Sequence, residues 1–113
     1  MSKSMNWNAI CDVTDLDDNA GACAKINDQQ VALFKFIVEG EPQYFATGNW
    51  DPIGEANVLS RGILGSIGEE LVVASPLYKQ HFSLKTGQCL EDETATIPVY
   101  PVCIVDEQVQ VQA

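Results

Sequence analysis

Apolar residues along this chain come in short runs of Val, Ile, Phe, Tyr and Thr, separated by Gly, Asn, Asp and Pro. This is the punctuation of an antiparallel β protein. Ala22 to Ile26 and Gln30 to Val38 flank Asn27-Asp28, two residues that tolerate left-handed backbone, and this predicts a hairpin. Tyr44 to Thr47 supplies a further strand. Near the end, Val99 to Val105 and Gln108 to Val111 flank Asp106-Glu107, a second hairpin. There Val109 and Val111 alternate with Gln108, Gln110 and Gln112, as in a strand with one wet face. Helical periodicity is weak throughout, and single turns at Thr14 to Asn19 and Glu55 to Leu59 are the most it supports. From Gly48 to Gly68 the chain carries five glycines and no sustained period. A connection of about twenty residues is long for a compact domain and tends to be functional or disordered. Trp50, Ile53, Val58, Leu59, Ile63 and Leu64 predict that this one is packed. The expected fold class is all-β, an antiparallel barrel or sandwich with a small subdomain built from the Gly48–Gly68 and Pro76–Phe82 loops.

The 113 residues suit one domain spanning 1–113, and 46% hydrophobic content is enough for one core. Sixteen acidic residues against six Lys and Arg give a net charge of −10. Such a surface repels phosphate backbones and anionic bilayers, so nucleic-acid and membrane partners are not expected. It suits solubility or docking on a basic face of another protein. No apolar stretch of signal-peptide length follows Met1 to Asn6, and the run Val31 to Val38 is broken by Lys35 and too short to cross a bilayer. The expected location is cytoplasmic, where Cys11, Cys23, Cys89 and Cys103 stay reduced. No Cys-x-x-Cys occurs among them, which removes the zinc-ribbon and thioredoxin patterns.

Catalytic patterns are missing too. His81 has no second imidazole for a metal or relay site and reads as a structural or surface residue. Ser75 lies in Ala74-Ser75-Pro76, without a nucleophile elbow, and Lys79 is four residues on rather than three. Asp15 to Ala20 begins like a calcium loop but has Ala20 where the bend needs Gly and Ile26 where a bidentate Glu belongs. That stretch and Glu91-Asp92-Glu93 read as solvated acidic turns.

The most specific text is Leu71 to Leu90. It resembles the second cluster-binding loop of Rieske ferredoxins, where Cys-Pro-x-His precedes a Phe, a strand and Thr-Gly; here Pro76, Phe82, Leu84, Thr86 and Gly87 match. Asn49-Trp50-Asp51-Pro52-Ile53-Gly54 aligns with the first loop, Cys-x-His-x-Gly, and Ile97 to Val102 resembles a downstream strand. The similarity runs from about Trp7 to Val111. All four ligand positions have changed: they hold Trp50, Pro52, Ser75 and Tyr78, and a Rieske centre needs two thiolates and two imidazoles. With Asp51-Pro52, Ala56 to Gly62 (ending Leu-Ser-Arg-Gly) and Ser75 to Gln80 (Ser-Pro-Leu-Tyr-Lys-Gln), the chain is similar to a cluster-less Rieske-like family, the small subunits of assimilatory NAD(P)H-dependent nitrite reductase.

That resemblance implies no cofactor in this chain. It implies flavin, siroheme and an iron–sulfur cluster in a large catalytic partner subunit, where nitrite becomes ammonium. The two altered loops are then the expected partner face: Asp51, Pro52, Arg61, Ser75, Pro76, Tyr78, Lys79 and Gln80. Trp50 and Leu77, being large and apolar, are expected inside, filling the space a cluster would take. The function expected is that of an accessory small subunit. The alternative is a free-standing cluster-less module that binds another oxidoreductase or a small ligand.

Overall fold

A computed structural model of the chain describes residues 7–113; the segment Met1 to Asn6, where no leader is expected, lies outside the described residues. Twelve strands are present among the described residues. They are β1 (Trp7–Asp12), β2 (Ala20–Ile26), β3 (Gln29–Val38), β4 (Glu41–Gly48), β5 (Trp50–Asp51), β6 (Ala56–Asn57), β7 (Ile63–Ile67), β8 (Glu70–Ala74), β9 (His81–Ser83), β10 (Val99–Tyr100), β11 (Val102–Val105) and β12 (Gln108–Gln112). Two single 3-10 turns, Val13–Asp15 and Leu59–Arg61, are the helical content among the described residues. Among the described residues no helix is long and apolar enough to cross a membrane.

All pairings are antiparallel. The strands form sheets in the orders β1-β12-β11, β10-β4-β3-β2 and β7-β8-β9, with β5-β6 as a small separate pair. The expected all-β class is the observed one. The β2–β3 hairpin turns at Asn27 and Asp28, with φ of 51° and 65°. Two residues at positive φ match the right-handed twist of the flanking strands. Asp106 and Glu107, at 51° and 64°, close the β11–β12 hairpin in the same way.

β3 explains why the run Val31 to Phe34 does not alternate. Val31 and Leu33 pack with Leu16, Ile26, Ala46, Val109 and Val111 in one core cluster. Ala32 and Phe34, on the opposite face, join Leu59, Val73, Phe82, Leu84 and Ile97 in a second. A strand covered on both faces reads as continuously apolar. Fully buried Phe34, Phe82 and Leu59 each contribute roughly 1.5–3 kcal/mol of transfer free energy.

Three expectations change. Val99 to Val105 is not one strand. Pro101 has no N–H for a ladder, and the chain switches sheets there: Val99 pairs with Thr47, and Val102 pairs with Val111. The Gly48–Gly68 segment is packed only in part: Leu59 is buried and Ile53 and Leu64 pack against the core, while Trp50 and Ile63 are exposed, and the segment also contains β5, β6 and β7. Pairs of two residues are too short to show a period, and Gly65 interrupts the third strand. The turn expected over Glu55 to Leu59 falls later, at Leu59–Arg61.

Candidate functional site

The two loops that carry the resemblance are built alike. In the first, the Glu55 N–H donates to the Asp51 carbonyl at 2.7 Å; in the second, the Lys79 N–H donates to the Ser75 carbonyl at 3.0 Å. Each loop closes on a residue in the left-handed region, Glu55 at φ 56° and Lys79 at φ 65°. Pro52 and Pro76 follow the first residue of each and fix its exit direction. The leading side chain then satisfies the turn's backbone donors. Asp51 Oδ1 accepts from the N–H groups of Ile53 (2.8 Å) and Gly54 (3.1 Å), and Ser75 Oγ accepts from Leu77 N–H (3.3 Å).

Asp51 and Ser75 also join the loops to each other: the Ser75 hydroxyl donates to Asp51 Oδ2 at 2.5 Å. Both residues are buried. A buried carboxyl group is costly without partners, and this one has three donors. Gly54 suits the close approach of the loops, because a Cβ there would lie 3.0 Å from Asp51 Oδ2 and 3.2 Å from Leu77 Cβ. Asn49 anchors the base. It is buried, accepts the Ser60 N–H on Oδ1 (2.7 Å) and the Leu59 N–H on its carbonyl (3.1 Å), and donates from Nδ2 to Gln30 Oε1 (2.9 Å). The 3-10 turn that presents Arg61 is thereby tied to β3.

The expected partner face divides. Asp51 and Ser75 point inward and act as positioning residues. Pro76, Tyr78, Lys79 and Arg61 are exposed, Tyr78 at 64%. Pro52 and Gln80 are half-buried, and Gln80 Oε1 is shielded from solvent with no hydrogen-bond partner among the described residues. Neither Arg61 nor Lys79 forms an ion pair among the described residues. Trp50 and Leu77, expected inside, are 48% and 45% exposed. The Asp51–Ser75 pair holds the centre between the loops, and the large apolar groups are turned to the outside.

These residues do not fit a Rieske cluster. The four ligand positions offer an indole, a pyrrolidine, a hydroxyl already bonded to Asp51 and a phenol that faces solvent. Cys89 lies beyond the second loop. Burial pushes its thiol up, and the nearby Glu91 carboxylate adds to this, outweighing the backbone hydrogen bonds that favour the thiolate. Cys89 Sγ contacts Glu91 Oε1 at 3.8 Å. Among the described residues no group of three or more His, Cys, Asp or Glu side chains could hold a metal ion.

Just outside the loops, His81 is a structural residue of a defined kind. Its Nδ1 lies 2.7 Å from Glu91 Oε2, and its backbone N–H donates to Glu91 Oε1 at 2.8 Å. Glu91 is thus no freely solvated charge. Partial desolvation pushes its carboxyl up, but the hydrogen bonds and charge of His81 outweigh that and hold it below its usual range. Sequence reasoning missed both this pair and the Asn49 anchor, whose partners lie ten or more residues away.

A family model, the Rieske-like [2Fe-2S] domain, matches residues 6–112. The nitrite reductase (NADH) small subunit of Escherichia coli K12 is 42% identical over 106 residues, which is 94% of this chain and 96% of that protein. A nitrite reductase NAD(P)H large subunit from Klebsiella oxytoca is 41% identical over 108 residues, taking in 96% of this chain and 11% of that protein. Among solved structures, the NMR structure of the E. coli protein NirD superposes with a TM-score of 0.84 at 41% identity, covering 96% of each chain.

Proposed function

Because the chain belongs to the Rieske-like [2Fe-2S] domain family, among the small subunits of NADH-dependent nitrite reductase, we propose that it is the accessory, non-catalytic subunit of an NAD(P)H-dependent assimilatory nitrite reductase. The observation that carries this reading is the Klebsiella oxytoca large subunit, which includes a stretch matching nearly all of this chain. A domain that is a small subunit of its own in E. coli and continuous with the large subunit in Klebsiella oxytoca is expected to act against that subunit. Flavin, siroheme and an iron–sulfur cluster belong to the large partner in this reading, and nitrite becomes ammonium there. This chain supplies a surface.

That surface is the outward part of the two loops: Pro52, Pro76, Tyr78, Lys79 and Arg61, with Trp50 and Leu77 beside them. Exposed aromatic and Arg side chains suit binding hot spots, and a rigid β frame is a common support for recognition loops. Arg61 and Lys79, without ion pairs among the described residues, are available to a partner's carboxylates. Asp51 and Ser75 fix the spacing of the loops from within. The cytoplasm is the compartment this reading implies, and four cysteines without a disulfide suit it.

The test is reconstitution. Adding the chain to purified large subunit should give a stable complex and change NAD(P)H-dependent nitrite reduction. If it neither associates nor alters the activity, the accessory-subunit reading fails.

A further inference from the structure

β7 is the outer strand of its sheet. Its register with β8 sets Ile67 opposite Glu70, Gly65 opposite Val72 and Ile63 opposite Ala74, around a two-residue turn at Gly68-Glu69. In a hairpin closed this way the pairs nearest the turn and every second pair from it exchange backbone hydrogen bonds. Ile63, Gly65 and Ile67 therefore direct their N–H and C=O groups at β8, and Leu64 and Ser66 direct theirs outward. The far side of β8 agrees, since the Leu71 carbonyl accepts from Leu84 N–H at 2.9 Å on the β9 side. Among the described residues, no backbone bond outside the strand ladders satisfies Leu64 or Ser66.

Open edges invite pairing, and proteins usually blunt them with charges, proline, bulges or a cover. Ile63-Leu64-Gly65-Ser66-Ile67 has no charge and no proline, and its register is unbroken. Ile63 is 70% exposed and Ile67 43%, on the same face. Between them Gly65 leaves a gap: a Cβ there would meet nothing within 4 Å, and its φ is not left-handed. The fold itself gives no reason for glycine here. A glycine within a strand weakens it and suits the close approach of another chain. Charge points the same way. None of the sixteen acidic residues falls between Ala56 and Gly68, and the one charged residue in that stretch is Arg61. The strand also runs into the loop face, since Ala74, opposite Ile63, leads into Ser75.

We propose that the large subunit lays an extended segment along β7 as a fourth strand of the β7-β8-β9 sheet. This inference rests on the accessory-subunit reading. The segment has main-chain donors and acceptors facing Leu64 and Ser66, so no proline at those positions, and an apolar side chain seated over Gly65 between Ile63 and Ile67. Main-chain bonds provide affinity in this mode, and the seated side chain provides selectivity.

Residue-resolved hydrogen exchange on the small subunit, alone and bound to the large subunit, tests the proposal. Alone, the Leu64 and Ser66 amides exchange quickly while Gly65 and Ile67 are protected; in the complex, Leu64 and Ser66 slow by about tenfold or more. Gly65→Val is the companion variant. A β-branched side chain has room and raises strand propensity, so the isolated subunit keeps or gains thermal stability, while association weakens by about tenfold or more because the gap is filled. A complex that forms without protecting Leu64 and Ser66, or a Gly65→Val protein that binds like wild type, overturns the strand proposal and leaves the subunit reading standing. Protection of the same amides in a dimer of the small subunit alone overturns it too, giving the edge to a second copy. Failure of the wild-type protein to associate at all removes both.

Discussion

Gly21 on β2 and Gly65 on β7 both lie in outer strands, yet their surroundings are opposite. A Cβ at Gly21 would come within 2.4 Å of the Ser60 carbonyl oxygen and 2.7 Å of the Phe34 ring, whereas one at Gly65 would meet nothing within 4 Å. The face of β2 at Gly21 is roofed by the Leu59–Arg61 turn, which Asn49 holds in place through the N–H groups of Leu59 and Ser60. The face of β7 at Gly65 has no such roof. One glycine is required by packing inside the molecule; the other has no internal explanation. Within one small domain, the contrast separates a glycine the fold needs from one it does not.

Substitutions should sharpen that contrast. Gly21→Val drives methyl groups into a backbone carbonyl and a core ring, and should cost about 3 kcal/mol, the upper end of what overpacking usually costs. Total stability for a domain is roughly 5–15 kcal/mol, so a large fall in Tm, or loss of folding, is expected in thermal unfolding. Asp51→Ala leaves the Ser75 hydroxyl and the N–H groups of Ile53 and Gly54 without their acceptor. Roughly 2–4 kcal/mol is expected in denaturant unfolding, with faster exchange of the loop amides. Gly65→Val should change the isolated subunit by no more than about 1 kcal/mol, in the stabilising direction. A loss there as large as at Gly21 would show that β7 is covered from within.

The smallest effect belongs to Glu91. Its folded carboxyl is held below the ordinary range, chiefly by His81 acting against partial desolvation. A depressed carboxylate contributes stability that is present above the unfolded-state pKa and fades as pH falls through the folded value. The wild-type and Glu91→Gln proteins should therefore differ slightly near neutral pH and converge in acid. Both groups are partly exposed, which keeps the difference small. A gap that widens on acidification would contradict this assignment.

How much of this was visible in the sequence varies with the range of the interaction. The hairpin at Asn27-Asp28 was legible because the turn residues themselves tolerate positive φ. The change of all four ligand positions was legible because ligand spacing is local to each loop. The Asp51–Ser75 bond was not, since its partners are 24 residues apart and neither carries a local sign of the other. Trp50 and Leu77 misled for the same reason: hydrophobicity places them inside until a polar pair is known to hold the centre. β7 was hidden by Gly65, which interrupts its apolar side chains, and the break at Pro101 by the apolar residues on either side.

The docking face is tested most directly by titrating the large subunit with wild-type protein and with the Arg61→Glu, Lys79→Glu double variant. Both side chains are exposed and outside the core, so the variant should fold with an unchanged Tm. Its affinity should drop by roughly 2–3 kcal/mol if these charges meet the partner at the loop face. A folded double variant that binds with wild-type affinity would contradict that assignment.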